Sequence, residues 1–180
     1  WFTYHNNKSF FFFFYCTGHG VPGALMSMIG NTLLNEIVNQ KNILDPAEIL
    51  FHLNEGVIKA LRQSGVDIME QDDGMDICVC CIDDKKKTEL HYASANLSIY
   101  IKSNGVAKEL KGDIFSIGGG LGSSGKMFQT KTELLNEGDA VIMSTDGYYD
   151  QFGGNNNSKF LVSNFENLIT QIDFVNDQPQ

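Results

Sequence analysis

The strongest constraint on the fold of this chain is the short spacing between strand-like segments in its second half. Four segments are separated only by turn-forming residues such as Asp83-Asp84-Lys85 and Ser103-Asn104-Gly105. We predict these segments as strands at residues 75–82, 89–93, 98–102 and 106–110. Parallel strands need a crossover of about a dozen residues or more, so the sequence predicts largely antiparallel pairing.

Further strands are predicted on both sides of this run. Residues 128–135 and 140–145 follow a Gly/Ser-rich stretch at 118–125. That stretch lacks the lysine and hydroxyl spacing of a nucleotide-binding loop, and we interpret it as a flexible connection between strands. Residues 10–16 include five consecutive phenylalanines, which predicts a strand buried on both faces.

Two helices are predicted between the first strand and the antiparallel run. The first begins at Pro22, which suits the first turn of a helix, and its apolar residues recur at helical spacing to about Gln40. The second begins with Asp45 as its N-cap and has Glu48 at the third helical position. Its apolar stripe continues toward residues 64–65.

A closing helix is predicted at residues 159–172, and the polar tail at 173–180 is expected to fray. One strand, two helices, a run of strands and a final helix make an α+β order, in which helices pack on the faces of antiparallel sheets. With 180 residues, of which 42% are hydrophobic, the chain is long enough for one core. We therefore expect a single domain over residues 1–180.

The charge balance excludes some classes of function. Thirteen basic and 22 acidic residues give a formal charge of −9, which argues against binding to nucleic acid or to an anionic membrane surface. No apolar run approaches the ~20 residues of a transmembrane helix, and no signal-peptide pattern is present. The cysteines lie in or beside strand-like apolar runs and not at the spacings of a zinc ribbon or a disulfide framework. We therefore expect buried reduced thiols and a cytoplasmic location. The cysteines are Cys16, Cys78, Cys80 and Cys81.

Two loops carry the residues that could do chemistry. Residues 16–24 form a glycine-rich turn from a strand into a helix, which exposes backbone amides at the helix N-terminus. Residues 144–150 place Asp146 at the tip of an apolar strand, followed by Gly147. A carboxylate held there can bind a hard cation such as Mg²⁺ or Mn²⁺. The alternative, which Asp146 alone favours, is an Asx turn or a helix cap.

Five segments, in this order and with similar gaps, together resemble the sporulation stage II E class of metal-dependent protein serine/threonine phosphatases. They are Cys-Thr-Gly-His-Gly-Val-Pro-Gly-Ala at 16–24, Asp-Asp-Gly-Met-Asp-Ile at 72–77, Tyr-Ala-Ser-Ala-Asn at 92–96, Lys-Gly-Asp at 111–113 with Ser-Ile-Gly-Gly at 116–119, and Ser-Thr-Asp-Gly-Tyr-Tyr-Asp-Gln-Phe-Gly-Gly at 144–154. The resemblance covers residues 10–170.

This resemblance implies an α-β-β-α sandwich of two mainly antiparallel sheets flanked by helices. It also implies two Mn²⁺ or Mg²⁺ ions that activate a water for direct attack on a phosphoserine or phosphothreonine. By the same resemblance Asp146 is a metal ligand, with weaker assignments for the backbone carbonyl of Cys16 and for Asp76, which could equally be a capping or solvated residue. His19 is a weak candidate for a proton donor to the leaving group, with a purely structural loop histidine as the alternative.

The resemblance further implies substrate-binding or supporting roles at four positions. They are Gly18, Gly20, Gly147 and Asp150. The implied partner is a phosphorylated regulatory protein in a bacterial signalling pathway, with sensor or regulatory domains fused N-terminally in the full protein.

The chain departs from the family pattern where family members carry aspartates. Tyr15 stands two residues before the Thr-Gly-His-Gly turn, where the family has an aspartate, and a phenol of pKa about 10 cannot replace a bridging carboxylate at neutral pH. A second family aspartate would lie before Trp1, and a third belongs to a C-terminal Asp-Asp pair that has no match before Gln180. Three hypotheses follow: an active phosphatase domain, a catalytically inactive interaction domain that keeps the fold, and an incomplete or damaged copy of the enzyme.

Overall fold

The computed structural model describes residues 1–16, 18, 20–61, 74–118, 127–154 and 157–173. Within these residues, the strands form two layered antiparallel sheets and a separate two-stranded hairpin. Two helices pack on the outer face of the larger sheet, and a C-terminal helix packs against the smaller one. The strands are β1 (Phe2–His5), β2 (Lys8–Cys16), β3 (Gly74–Asp83), β4 (Glu89–Ala95), β5 (Ile99–Ser103), β6 (Val106–Leu110), β7 (Ile117–Gly118), β8 (Lys131–Leu134), β9 (Ala140–Met143), β10 (Phe152–Gly153) and β11 (Ser158–Lys159). The helices are α1 (Val21–Asn35), α2 (Pro46–Leu61), α3 (Asp146–Tyr149) and α4 (Val162–Gln171), and a π-helical segment, Glu36–Gln40, continues α1.

The larger sheet has the strand order β1-β2-β3-β4-β8, and β7 pairs with the start of β3. The smaller sheet has the order β6-β5-β9. All the ladders are antiparallel. This confirms the predicted α+β class and its layered antiparallel sheets.

The residues of β3 alternate between two cores. Ile77, Val79 and Cys81 belong to the core under the helices, whereas Cys78 and Cys80 belong to the core between the sheets. Successive side chains of a strand point to opposite faces, so this alternation assigns one face of the larger sheet to the helices and the other to the smaller sheet.

The helical layer follows the prediction, with one difference in the exposed surface. The segment from α1 through the π-helical residues ends at Gln40, where the sequence pattern placed the end of the first helix. Leu25 and Met28 fit the apolar spacing that predicts this helix, but their side chains are exposed, and Met26 and Gly30 are buried instead. The buried face therefore differs from the predicted one only in the first turns of α1, because Leu34, Ile37 and Val38 of the same apolar pattern are buried as predicted. Among the described residues, no helix has the length and apolar character needed to cross a membrane.

The prediction that the phenylalanine strand is buried on both faces is wrong. Phe10 and Phe12 are buried under the helices, but Phe11 and Tyr15 on the opposite face are exposed. Only Phe13 on that face packs into the core between the sheets. The smaller sheet is too narrow to cover the whole length of β2, and Phe11 packs instead against Phe2 of β1 at a ring-centroid distance of 5.1 Å.

Three predicted elements are shorter than expected because other contacts replace their ends. The strand predicted from residue 128 begins only at Lys131, since the amide of Gln129 donates to Asp113 Oδ2 (3.3 Å) and the hydroxyl of Thr130 donates to Asp45. The strand predicted to residue 145 ends at Met143, before α3.

The closing helix begins at Val162 instead of 159, because Ser158 and Lys159 pair with Phe152 and Gly153 in a hairpin. The predicted connection at 118–125 and the end of the second helix lie largely outside the described residues, as does the C-terminal tail from residue 174.

The N-terminus of α2 gives the first test of these local assignments. Asp45 Oδ1 accepts hydrogen bonds from the amides of Ala47 (3.0 Å) and Glu48 (3.1 Å), as the sequence pattern predicted, and both carboxylate oxygens lie within 2.9 Å of Thr130 Oγ1. We expect Asp45→Ala to lower the free energy of unfolding by about 1–2 kcal/mol, because it removes the cap. Urea denaturation followed by Trp1 fluorescence measures the change. Asp45→Asn is the matched control, since asparagine caps helices equally well, and an equal loss in both variants would contradict the capping role.

Candidate functional site

Three neighbouring strands of the larger sheet present a row of polar side chains at one end. Tyr15 of β2 is the register partner of Asp76 of β3, and Asn96 directly follows Ala95, the register partner of Ile77. Asp76 has the same parity as Cys78, so it lies on the face turned toward the smaller sheet. The row therefore lies at the end of the layer between the two sheets.

The carboxylate of Asp76 is held by two uncharged donors. Asn96 Nδ2 donates to Asp76 Oδ2 at 3.0 Å, and Ser116 Oγ donates to Asp76 Oδ1 at 2.5 Å. Ser116 is placed by β7, whose first residue, Ile117, pairs with Met75. The two bonds fix the orientation of the carboxylate, and neither donor carries a positive charge.

Asn96 is itself fixed by a neighbouring loop. Its backbone has a φ of 56°, a left-handed conformation that asparagine tolerates better than most residues. Its amide donates to the carbonyl of Asp113 (2.7 Å), and the amide of Asp113 donates to the carbonyl of Ser94 (2.8 Å). Gly112 lies so close to this turn that a Cβ atom there would be 2.5 Å from the carbonyl oxygen of Leu97. The loop therefore requires glycine at position 112.

Asp146 reaches the same end of the molecule from the smaller sheet. Its strand, β9, ends at Met143, which pairs with Ile99, and Ile99 is the first residue of the strand that follows Asn96. Asp146 begins the short helix α3 and is exposed, with Thr145 as an extended N-cap that makes no side-chain cap bond. The carbonyl of Asp146 accepts the amide of Asp150 (2.8 Å).

Carboxylates from both sheets lie close enough to Tyr149 to act on its hydroxyl. Burial raises the pKa of its hydroxyl, and the charges of Asp146, Asp150, Glu109 and Asp76 raise it further, in that order. Carboxylates from both sheets thus act on one phenol. The structure brings Asp76 and Asp146 to a shared end of the sandwich.

The glycine-rich turn lies at the end of β2, beside this row. Gly18 and Gly20 have φ values of 91° and 67°, which side chains rarely adopt, and Gly20 is the N-cap of α1. A Cβ atom on Gly23 would lie 2.9 Å from the carbonyl oxygen of Gly18, so the turn is folded tightly onto the helix. His19, the weak candidate for a proton donor, lies outside the described residues.

The other predicted site residues have different surroundings. The thiol of Cys16 faces the helices, where burial raises its pKa and Ser27 is its hydrogen-bonding neighbour at 3.6 Å. Its backbone lies next to Tyr15 at the end of β2. Asp150 forms an ion pair with Lys159, with Oδ2 and Nζ 3.0 Å apart, and Gly147 is exposed in α3.

The candidate site offers few side-chain ligands for a divalent cation. Among the described residues, no group of three or more His, Cys, Asp or Glu side chains could hold a metal ion. Asp76 and Asp146 suit one hydrated cation, because Mg²⁺ is commonly held by one or two carboxylates and several waters. They do not fit a two-metal centre, since Tyr15 stands where a further carboxylate would face Asp76.

Comparison with known proteins decides the family. The family model described as Stage II sporulation protein E (SpoIIE) matches residues 9–175. This chain belongs to the SpoIIE family. A comparison with curated protein sequences finds no significant match.

Solved structures share the fold over most of the chain. The SiaA-PP2C domain of Pseudomonas aeruginosa is 26% identical with a TM-score of 0.79, and the match covers 94% of this chain and 63% of that one. The RsbU and RsbW domains of a Mycobacterium tuberculosis protein are 21% identical with a TM-score of 0.72, over 97% of this chain and 46% of that one. RsbX in complex with magnesium is 14% identical with a TM-score of 0.55, over 82% and 64%. This SpoIIE chain therefore spans less than two thirds of the length of each.

Sequence reasoning missed two parts of the SpoIIE site. Ser116 was noted only as part of a motif, and its bond to Asp76 depends on β7, a two-residue strand too short to detect by periodicity. Tyr149 was not singled out, although it lies between Asp146 and Asp150. A search for polar residues close to Asp146 in the sequence would have found Tyr149, whereas the pairing that places Ser116 has no local signal.

The pKa of Tyr149 tests the proximity of the carboxylates. We expect Asp146→Asn to lower the Tyr149 pKa relative to the wild type, because Asp146 raises that pKa more than any other nearby charge does. NMR titration of ¹³C-labelled tyrosine, assigned with Tyr149→Phe, measures it. Asp139→Asn, at the opposite end of β9, is the control and should leave the Tyr149 pKa unchanged. Equal values in the wild type and Asp146→Asn would place Asp146 away from Tyr149.

The raised pKa of Tyr149 also makes the stability of the fold depend on pH. Since the folded state favours the neutral phenol, Tyr149 stabilises the fold fully below its unfolded pKa of about 10. That contribution is lost as the pH rises through the higher folded-state pKa.

Proposed function

We propose that this chain is a metal-dependent phosphoprotein phosphatase domain that acts on phosphoserine or phosphothreonine in bacterial signalling. The strongest support is the position of Asp76 and Asp146. They come from two different sheets and lie at one end of the layer between them. Membership of the SpoIIE family agrees with it.

Each of the site residues has a proposed task. Asp76, oriented by Asn96 and Ser116, and Asp146, exposed at the start of α3, would hold a hydrated cation. Gly18 and Gly20 would bind the phosphoryl group through backbone amides, because the space where a Gly20 side chain would stand is open. The assignments of His19 and of the Cys16 carbonyl stay predictions from the resemblance.

Mn²⁺ or Mg²⁺ is the proposed cofactor. Such an ion lowers the pKa of a bound water and neutralises charge on phosphoryl oxygens. The complex of RsbX with magnesium, which shares this fold, supports the choice of a hard divalent cation. The proposed ligands, Asp76 and Asp146, are oxygen donors, which suits these ions.

Tyr15 favours a second function, the binding of a phosphoprotein without hydrolysis. Its phenol occupies the register position opposite Asp76 and is 51% exposed, so it lies at the site and not in the core. A neutral phenol offers a single oxygen and no charge at neutral pH. In this alternative the domain keeps the fold and the substrate-facing surface, and acts as an interaction domain.

The proposed partner is a phosphorylated regulatory protein, with sensor or regulatory domains fused N-terminally in the full protein. We also propose a cytoplasmic location. All four cysteines are free and buried, in keeping with a reducing compartment.

A substitution at position 15 separates the two functions. We expect Tyr15→Asp to tighten Mn²⁺ binding by about tenfold or more, equivalent to about 1.4 kcal/mol, because it places a second carboxylate beside Asp76. It should also raise the hydrolysis of p-nitrophenyl phosphate and of a phosphoserine peptide. Calorimetric titration with Mn²⁺ and phosphate release measure the two effects.

Tyr4→Asp is the matched control, because Tyr4 is 57% exposed on β1 and the change adds the same charge away from the site. Adding Asp146→Asn to Tyr15→Asp should abolish both gains. Saturable Mn²⁺ binding with turnover in the unmodified chain would contradict the interaction-only function. Failure of Tyr15→Asp to bind Mn²⁺ would contradict the proposed metal site.

A further inference from the structure

Asn54 of α2 is a polar residue on the buried face of its helix. It is 1% exposed, and the other buried residues around it on α2 are the apolar Leu50, Leu53 and Val57. Asparagine is a poorer helix former than leucine or alanine, and a buried amide costs free energy unless it is hydrogen-bonded. The hydrogen bonds of this side chain must therefore offset a cost to the helix and to the core.

The side chain of Asn54 holds the short strand β7. The amide of Gly118 donates to Asn54 Oδ1 at 2.9 Å, in buried surroundings. The strand comprises Ile117 and Gly118, which pair with Met75 and Gly74 of β3. A ladder of two pairs gives little stability on its own. The bond from Gly118 to α2 therefore fixes β7 from outside the sheet.

β7 connects the helical core to the opposite face of the larger sheet. Ile117 is fully buried with its partner Met75 in the core under the helices. Successive residues of a strand point to opposite faces, so Ser116 lies on the face turned toward the smaller sheet. There its hydroxyl donates to Asp76 Oδ1. One short segment is thus held by Asn54 on the helical side and contacts Asp76 on the other side.

The second donor to Asp76 is supported in a similar way. Ser94 is a buried polar residue, 2% exposed, and its hydroxyl donates to the carbonyl of Leu97 at 2.6 Å. The turn between these two residues carries Asn96, whose side chain donates to Asp76 Oδ2. Each donor to Asp76 therefore lies beside a backbone group that a buried polar side chain fixes. This recurrence favours a role for Asn54 in orienting Asp76.

We propose that Asn54 is a positioning residue of the proposed metal site, which holds β7 so that Ser116 fixes the carboxylate of Asp76. The inference rests on the proposed function for the role of Asp76 as a metal ligand. Asn54 acts through Gly118 and Ser116 from the helical side of the sheet. The helical layer thereby takes part in orienting a carboxylate on the other face.

NMR of the chain in EDTA tests this without requiring activity. The ¹³C signal of the Asp76 carboxylate, assigned with Asp76→Asn, reports the hydrogen bonds that this group accepts. We expect Asn54→Leu, which removes the acceptor and keeps a side chain of similar shape, to move the signal toward its position in Ser116→Ala. It should also speed hydrogen exchange of the Gly118 amide by about tenfold or more, because that amide loses its acceptor.

Val57→Ala is the matched control, because Val57 is fully buried on the same helix and has no polar side-chain atom. It should lower the stability measured by urea denaturation and leave the Asp76 signal in place. In the Ser116→Ala background, Asn54→Leu should no longer move the signal, because the link to Asp76 is already broken. Should Asn54→Leu not fold, Asn54→Ser takes its place, since the serine hydroxyl ends one bond short of the position of Oδ1.

Mn²⁺ binding gives a second readout, at the proposed function itself. Adding Asn54→Leu to Tyr15→Asp should weaken Mn²⁺ binding about tenfold or more, as the loss of a residue that supports a metal ligand typically does. Calorimetric titration measures the change, and adding Val57→Ala to Tyr15→Asp should leave the affinity unchanged.

The outcomes separate this inference from the proposed function. An Asp76 signal that stays in place in a folded Asn54 variant would overturn the positioning role. A movement that persists in Ser116→Ala, or that Val57→Ala reproduces, would overturn it as well, and so would equal Mn²⁺ affinity with and without Asn54→Leu. If Tyr15→Asp binds no Mn²⁺ while the Asp76 signal still depends on Asn54, the proposed metal site is wrong and the orientation of Asp76 by Asn54 stands.

Discussion

The antiparallel pairing of β2 with β3 is the constraint on which the rest of the structure depends. Its register decides which side chains of both strands face the helices and which face the smaller sheet. A shift by one residue would move Asp76 into the helical core and Ile77 to the site. Both strands are apolar over most of their length, so hydrophobic alternation alone does not fix the register. The two cores differ in extent, however, and the helical side buries Phe10 and Phe12.

The aspartates near the site differ in whether their hydrogen-bonding partner is charged. Asp150 is paired with Lys159, so a cation would have to compete with the lysine for it. Asp76 is oriented by Asn96 and Ser116, which carry no charge, and its own charge therefore stays available. In a chain of net charge −9, two carboxylates at one end of the sandwich repel each other, and a divalent cation would relieve that repulsion.

The sequence predicted the fold better than it predicted the site, for physical reasons. The strands 106–110 and 89–93 were found almost to the residue because alternation and turn chemistry are local signals. The β10–β11 hairpin and β7 were missed because each of their strands has only two residues, too few for a periodic pattern, and β7 in addition pairs with β3, which is far away in the sequence. Burial of the phenylalanine run was overestimated, since composition does not reveal how far the smaller sheet extends. Asp146 was found from its strand end, whereas the donors that hold Asp76 come from two other parts of the chain and required the fold.

Under the proposed function, Tyr15 is the residue that decides the chemistry of the site. On a surface far from a site, an exposed tyrosine facing an aspartate would change little. At this register position it replaces a charge that would otherwise lie beside Asp76, on a strand whose geometry the β2–β3 ladder fixes. The ladder with β3 continues through Tyr15 to Cys16, so the backbone of β2 is held beside Asp76, whereas β1 pairs only with residues 8–11. The fold and the substrate-facing surface do not depend on that charge. Under the proposed function, the same architecture would retain phosphoprotein recognition while losing hydrolysis, and the choice between the two would lie in the ligand set and not in the scaffold.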